Sequence, residues 1–593
     1  MNYANESEKK DHWEKYHLYY LIFGSFILTT LFILIGISSV NKNINSSDGD
    51  YSSFDFELKI KDYSSRLNSE PFPDYVKERM KREIKKIKKS FGGQTKEIRE
   101  EYVEQVMSFP WHQVSPENDN LNEIKQTLEK SHYGMKKVKE SIVEYLAGKK
   151  QAGKNFGKVL CLVGSPGTGK TSIVRSIAEA LGRPFDKVSL GGIHDEGEIR
   201  GHRNTYISAK PGIIIQALQR AKVKNPVIVA DEIEKMGKSD QHGDPAAAFL
   251  EILDPEQNEK FRDHYIELPI DLSQILFVCT ANRIDTISKP LLDRMEIIEI
   301  PSYTENEKFH IVKDHLIPKL FSKYNKLTRE QLTFEDPAIK EIIKNYTLEP
   351  GVRNLDRKLE KIFEKFSEKK ETERLEKENI NLPKVKEYLG KPTVPDLSSE
   401  VDYEKPGVVN GLSVLNPEIG GGNVMPILVS FFKEGDGKTI ITGNLERTMK
   451  ESAKTALSLA KYIITTFKIK DEDGSVFDFT KIDIHIDVPK AGIPKDGPSA
   501  GIAFTTAIIS AFKRKKIPQD IGMTGTIDIH GGVDEIGGLQ EKIYVAHQRG
   551  LKRVFIPKKN YDNDYENIPP EIKSKIKITP VKDYQIIYND LFN

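Results

Sequence analysis

The residues best suited to chemistry form the run Gly164-Ser165-Pro166-Gly167-Thr168-Gly169-Lys170-Thr171, which fits the spacing G-x-x-x-x-G-K-[ST]. Glycines at 164, 167 and 169 let the backbone curl until its amides face inward. A helix starting near Lys170 adds unpaired N–H groups and a positive dipole end, so phosphate oxygens suit the lining. Lys170 can reach the β- and γ-phosphates, and the hydroxyl of Thr171 is placed to hold Mg²⁺, which together describe a site for ATP with Mg²⁺. Residues 226–232 (PVIVADE) form a second buried strand that ends in two carboxylates. Asp231 can hold Mg²⁺ through water and Glu232 can polarise an attacking water. A third apolar run, 275–282, ends in Asn282, whose amide can orient water near a γ-phosphate. Arg294 and Arg353 are candidates for charge stabilisation at the phosphates, against the commoner use of a lone arginine in a surface ion pair.

A second constellation lies further along. Ile482, Ile484, Ile486 and Val488 alternate with Asp483, His485 and Asp487, the period of a half-buried strand. A turn follows, and Pro498 suits the first turn of a helix that closes on Lys513-Arg514-Lys515-Lys516. Ser499 is therefore expected at a helix N-terminus, where amides and dipole stabilise a developing oxyanion. A serine that merely caps the helix is the competing reading. After Gly537-Gly538, residues Leu539, Lys542, Ile543 and Ala546 recur at i, i+3, i+4 and i+7, which puts a lysine within an apolar stripe. Desolvation lowers an ammonium pKa and frees neutral amine to act as general base for a serine. A lysine snorkelling from the edge of the stripe competes with that reading.

The elements that must position these groups are those of a multidomain chain. Its 593 residues have room for several cores, and 89 Lys+Arg against 88 Asp+Glu leave a net charge of +1, so the overall balance calls for no nucleic acid. Cys161 and Cys279 each sit inside an apolar strand-like run, which suits core packing better than a disulfide framework or zinc site. Strands alternating with helices around the phosphate loop define a parallel α/β nucleoside-triphosphatase core. An all-helical stretch follows at about 302–390.

Residues 18–40 carry no charge and exceed the roughly 20 apolar residues that span a bilayer as a helix. They read as a membrane anchor. Their core is longer than a signal-peptide h-region, and the acidic Glu6, Glu8, Asp11 and Glu14 disfavour a mitochondrial presequence. Lys9, Lys10 and Lys15 precede the span, which by charge alone points the N-terminus inward. The need of a phosphate loop for ATP outweighs this and places residues 41–593 on the ATP-containing side, cytoplasmic or matrix. Asn41–Ser53 reads as a linker. The basic run from Lys77 to Lys89 reads as a solvated helix face, with contact to an anionic membrane as the minority reading.

GSPGTGKTS, VADEIEKM, TAN, PLLDRMEII and PGVRNLDRKLEKI resemble the AAA+ module of the Lon family of ATP-dependent proteases, while PKDGPSAG and GGLQEK resemble that family's two protease motifs. The resemblance begins near Tyr102–Trp111 and continues through His132-Tyr133-Gly134 nearly to the C-terminus. It implies Ser499 as nucleophile, Lys542 as its base and Thr524 as a partner of the lysine amine. It also implies a homohexamer in which Arg294 reaches a neighbour's nucleotide, Asn282 and Arg353 act as sensors, and Tyr206-Ile207 grip substrate in a pore. The anchor and a short linker stand where the family usually carries a large N-terminal domain.

The expected fold is α/β: a parallel-sheet P-loop core with a helical lid, then an α+β Ser-Lys protease domain, preceded by a transmembrane helix and helical linker. The expected boundaries are a tail at 1–17, the span at 18–40, linker and helices at 41–125, ATPase core at 126–301, lid at 302–390 and protease domain at 391–593. The implied activity is ATP-dependent serine endopeptidase action on unfolded or damaged proteins, without a requirement for nucleic acid. Three positions depart from the family's usual residues. Thr526 and Leu428 stand where glutamate is usual, and Asp487 where histidine is usual. An ATP-driven unfoldase with weak or absent peptidase activity is the alternative these departures keep open.

Overall fold

The computed structural model describes residues 57–593 except 90–92, 154–156, 205–207, 238–242, 395–400, 415–420 and 490–493. The predicted span at 18–40 and the pore residues Tyr206 and Ile207 lie outside the described residues. Among the described residues no helix is long and apolar enough to cross a membrane. The chain divides into two compact units, one of residues 1–113 with 204–209, the other of the remainder.

The first unit is helical. Helix α1 (Asp74–Lys89) buries Val76, Met80, Ile84 and Ile87 and turns Lys81, Arg82, Lys85, Lys86, Lys88 and Lys89 to the outside, so most of the basic run is the solvated face that the apolar spacing requires. Helix α2 (Gln94–Ser108) reaches back across it through Arg99, whose guanidinium meets Glu83 at 3.0 Å.

In the second unit, strands β1 (Val159–Val163), β2 (Phe185–Ser189), β3 (Val227–Asp231), β4 (Leu276–Ala281) and β5 (Met295–Glu299) form a wholly parallel sheet in the order β2-β3-β4-β1-β5. Every residue of β1 and β4 is buried, as expected of central strands covered on both faces. Cys161 and Cys279 are direct register partners within it, both buried and free. Helix α3 (Lys170–Leu181) springs from β1 through Gly169 at φ 89° and stops at Gly182 at φ 69°, left-handed conformations that favour glycine at each end.

The stretch after the sheet is not purely helical, contrary to expectation. Leu332–Phe334 pairs in parallel with Glu378–Ile380. Three residues per strand are too few to set up a readable alternation. Helices α4 (Glu305–Ile311) and α5 (Arg353–Thr372) carry the contacts that matter below. Leu355, Leu359, Ile362, Phe363 and Phe366 of α5 join Ile173 and Ile177 of α3 and Leu160 of β1 in one apolar cluster, so lid and sheet share a core.

The C-terminal domain is a seven-stranded mixed sheet, bearing out the α+β expectation. Its strands are β6 (Val408–Val414), β7 (Gly422–Lys433), β8 (Thr439–Thr442), β9 (Ile482–Asp487), β10 (Ile521–Met523), β11 (Arg553–Pro557) and β12 (Lys577–Val581), in the order β8-β9-β7-β6-β10-β11-β12. Helix α6 (Arg447–Thr466) packs on α7 (Gly501–Lys513), in which every residue from Gly501 to Phe512 is buried. A helix apolar all round belongs in a core, and its larger side chains, such as Ile502, Phe504 and Ile508, contribute about 1.5–3 kcal/mol each by leaving water. Its two buried threonines satisfy their hydroxyls locally, Thr505 Oγ1 donating to Gly501 O at 3.0 Å and Thr506 Oγ1 to Ile502 O at 2.7 Å. Helix α8 (Leu539–Gln548) lies along β7 and β6.

Candidate active sites

The phosphate loop is held in its curl from both sides. Gly167 takes φ 80°, and Val352 N donates to its carbonyl at 3.0 Å, while Tyr303 Oη donates to Thr168 O at 2.8 Å. Thr168 Oγ1 ties the loop to Ser165 O at 2.8 Å. A Cβ on Gly351 would lie 2.3 Å from the carbonyl carbon of Gly167, so the lid backbone seats directly on the loop. Beside it opens a cavity of about 620 Å³ lined by His132, Tyr133, Gly169, Lys170, Thr171 and Arg353, among others. Burial lowers the His132 pKa to about 4, which keeps that ring neutral at physiological pH. Its Nε2 lies 2.9 Å from Ser172 Oγ.

Lys170 Nζ donates to Gly164 O at 2.7 Å, Ser165 O at 3.0 Å and Asn282 Oδ1 at 2.9 Å. Burial lowers its pKa to about 8, and an incoming phosphate restores the charge by pairing with it. Asp231 ends β3 and accepts from Thr280 Oγ1 and from Lys187 at 2.5 Å. Glu232 follows at φ 59°, a left-handed conformation uncommon outside glycine, and its carboxylate meets Lys235 at 3.1 Å. Arg353 opens α5 with its Cβ over Gly167. Arg294 stands apart, 40% exposed, with Nη2 donating to Asp254 Oδ2 at 3.2 Å.

One member of this site was not anticipated. Glu234, two residues beyond the carboxylate pair, accepts from both the backbone N and Nδ2 of Asn282, at 3.1 and 2.8 Å. It thereby fixes the amide so that its oxygen faces Lys170. Nothing in the spacing of a single buried glutamate on a short turn signals that role.

The second site assembles three elements. Ser499 lies in the turn immediately ahead of α7, whose first turn starts at Gly501 and not at Pro498 as expected. The helix begins at Gly501 because the Ser499 carbonyl is engaged elsewhere, accepting from Gly525 N at 2.8 Å and Thr524 Oγ1 at 3.1 Å. The preceding loop is pinned to α6, with Asp496 Oδ1 accepting from Met449 N at 3.1 Å and Pro498 O from Ser452 Oγ at 3.1 Å. Lys542 of α8 is 2% exposed, and its Nζ donates to Thr524 Oγ1 at 3.2 Å. Thr524 is fully buried after β10, so one hydroxyl links the lysine amine to the backbone of the serine. Among the described residues Lys542 makes no hydrogen bond to the Ser499 hydroxyl.

Burial lowers the Lys542 pKa to about 8, with the Glu541 carboxylate a smaller opposing influence. Below that value the amine is protonated and cannot take a proton; above it the neutral base prevails. Peptide cleavage should therefore rise with pH and level off through an apparent pKa of about 8, measurable as initial rates on a short peptide between pH 6 and 10. A rate independent of pH across that range would remove Lys542 from the role of base.

Two of the three departures turn out to be a single structural feature. Leu428 on β7 and Asp487 on β9 are direct antiparallel register partners. Asp487 accepts from Thr442 Oγ1 on β8, and the same hydroxyl lies 3.0 Å from His485 Nε2. Thr526 is elsewhere, opposite Asp534 in a separate hairpin.

A parallel sheet with a phosphate loop, a lid seated on that loop, and a buried lysine bound toward a serine define a P-loop module joined to a Ser-Lys type domain on one chain. The comparisons with known proteins carry the description further. Residues 160–302 match the ATPase family associated with various cellular activities (AAA), residues 323–379 the Lon protease AAA+ ATPase lid domain, and residues 379–593 the Lon protease (S16) C-terminal proteolytic domain. The Lon protease of Mycoplasma mycoides subsp. mycoides SC is 48% identical over 531 residues, which cover 89% of this chain and 65% of that protein. Those of Malacoplasma penetrans and Mycoplasma genitalium are 45% and 44% identical, over 89% and 91% of this chain and 66% of each relative. The chain belongs to the Lon protease family, and it spans 65 to 66% of the length of these relatives.

Proposed function

We propose that this chain is an ATP-dependent serine endopeptidase that unfolds protein substrates and cuts them by acyl transfer through Ser499. The observation that carries the proposal is the buried Lys542 amine, with its pKa lowered to about 8 and its Nζ bound to Thr524 beside Ser499. In the reaction, neutral Lys542 takes the Ser499 hydroxyl proton as the oxygen attacks the scissile carbonyl. The lysine then returns that proton to the departing amine. Water resolves the acyl-enzyme with the same amine as base. The test is cleavage of a permanently unfolded protein by the purified chain with and without ATP. ATP-dependent loss of intact substrate is expected, and stable substrate under both conditions would overturn the reading.

The residues at the phosphate loop fit ATP with Mg²⁺. The left-handed glycines, the Lys170 ammonium and the adjoining cavity suit a triphosphate, and Thr171 with Asp231 supplies oxygen ligands of the kind Mg²⁺ prefers. The ion would neutralise phosphate charge there. Glu232 polarises the attacking water, Glu234 orients Asn282, and Arg353 stabilises charge at the phosphates. Half-exposed Arg294 serves the nucleotide of a neighbouring subunit in a homohexamer, with Tyr206-Ile207 gripping substrate in the central pore.

A second reading, an unfoldase with a weak peptidase site, is favoured by the Leu428–Asp487 pair, which stands on adjacent strands of the protease sheet where glutamate and histidine are usual. Substrate unfolded by ATP but never cut would decide for it.

For location, we propose that residues 18–40 anchor the chain in a membrane with both active domains on the ATP-containing side. The apolar length of that segment supports this. Removing residues 1–50 should release the protein into the soluble fraction with its ATPase rate unchanged. A full-length chain already soluble after lysis would refute the anchor.

A further inference from the structure

The lid meets the protease domain through one buried cation that neither active site uses. Lys308 of α4 is fully buried, and its Nζ donates to the backbone carbonyl of Glu349. The same Nζ lies 5.0 Å from the ring centroid of Tyr544 on α8, the helix that carries Lys542 two residues earlier. One turn further along α8, Gln548 Nε2 donates to Thr347 O at 2.9 Å. The lid segment 347–349 therefore holds α8 at two points on its C-terminal half. The opposite end of the helix, Gly538 to Glu541, instead lines a cleft of about 1180 Å³ that runs to Gly164, Ser165 and Asn282.

The same lid segment is coupled to the phosphate loop. Buried Glu349 accepts from Asn354 N at 3.0 Å and Leu355 N at 2.8 Å, so its carboxylate anchors the start of α5. Arg353 is the first residue of α5, and Gly351 and Val352 seat on Gly167. Gly351 packs against the loop and Val352 bonds to it, so residues 351–353 are placed to follow a change there. The same stretch is tied to Glu349, whose carbonyl holds Lys308 and through it the Tyr544 ring.

We propose that Lys308 and Tyr544 are positioning residues for the peptidase site: they transmit the state of the phosphate loop, through Glu349 and the start of α5, to the helix that presents Lys542. This rests on the peptidase and ATPase readings above. The contact is with the face of the ring, for among the described residues the Tyr544 hydroxyl has no hydrogen-bond partner. Desolvation strengthens a cation held against such a face.

The test uses the full chain and a short unstructured fluorogenic peptide, which needs no unfolding, so that gating is read separately from threading. Cleavage is measured without nucleotide and with ATP and Mg²⁺, alongside ATP hydrolysis and a thermal melt. Wild type should be stimulated by ATP. Tyr544→Phe keeps the ring and should keep the stimulation. Tyr544→Leu should lose at least about fivefold of it, the lower end of typical coupling between sites, read as the ratio of cleavage with nucleotide to cleavage without, with ATP hydrolysis unchanged. Should Tyr544→Leu fail to melt cooperatively, Lys308→Met, which keeps the apolar stem and removes the cation, carries the same expectation. Stimulation of Tyr544→Leu equal to wild type overturns the inference, as does equal loss in Tyr544→Phe. Wild type that cleaves at the same rate with and without nucleotide overturns it too, while leaving the peptidase reading intact. No cleavage by wild type under any condition removes that underlying reading as well.

Discussion

Ser499→Ala is expected to hydrolyse ATP and unfold substrate at wild-type rates and to cut nothing. The substitution removes one hydroxyl in the turn ahead of α7, and the loop around it is held by backbone and side-chain bonds that do not involve that hydroxyl. Structure should survive while the nucleophile is lost, lowering peptide cleavage by about 10³-fold or more. Lys542→Ala should be equally inactive, since the members of a catalytic unit do not contribute additively. Lys542→Arg should fail as well, because a guanidinium stays protonated throughout the accessible pH range. The measurement is release of peptide fragments beside phosphate release in the same reaction. Fragments from Ser499→Ala at the wild-type rate would remove the serine from the mechanism.

The nucleotide site gives the second large effect, and it separates binding from turnover. Lys170→Ala should abolish ATP binding, for it deletes the ammonium held by the carbonyls of Gly164 and Ser165 and leaves Asn282 Oδ1 without its donor. Glu232→Gln should bind ATP normally and lose hydrolysis by about 10²–10⁴-fold, the usual worth of a positioned general base. Isothermal titration and phosphate release distinguish the two. ATP turnover by Glu232→Gln equal to wild type would move the water-polarising role to another carboxylate.

The parts of the molecule that could be read from the chain are those whose physics is local. The loop from Gly164 to Thr171 is contiguous, and the glycine positions and the strand before it suffice to describe its shape. Lys542 was legible as a buried lysine because an apolar stripe repeats on its helix. The register that sets Leu428 against Asp487 pairs residues 59 positions apart in the chain, and no periodicity within either strand contains it. Pro498 marks the approach to a helix N-terminus at Ser499, and only the engagement of the Ser499 carbonyl by Thr524 and Gly525 shows why the helix starts later, at Gly501. Glu234 and Lys308 were silent for a similar reason. Each is a single charged residue whose meaning lies wholly in a distant partner.

The Leu428–Asp487 pairing also constrains how the protease sheet can change over time. Directly opposed side chains are judged together, and two carboxylates facing each other across neighbouring strands repel. Introducing glutamate at 428 while aspartate remains at 487 creates that repulsion, whereas histidine at 487 facing leucine creates none. A return to the family's usual residues is therefore ordered, with position 487 free to change first and position 428 only afterwards. Of the two single steps, the one at 428 carries a charge penalty of up to about 1 kcal/mol and the one at 487 carries none.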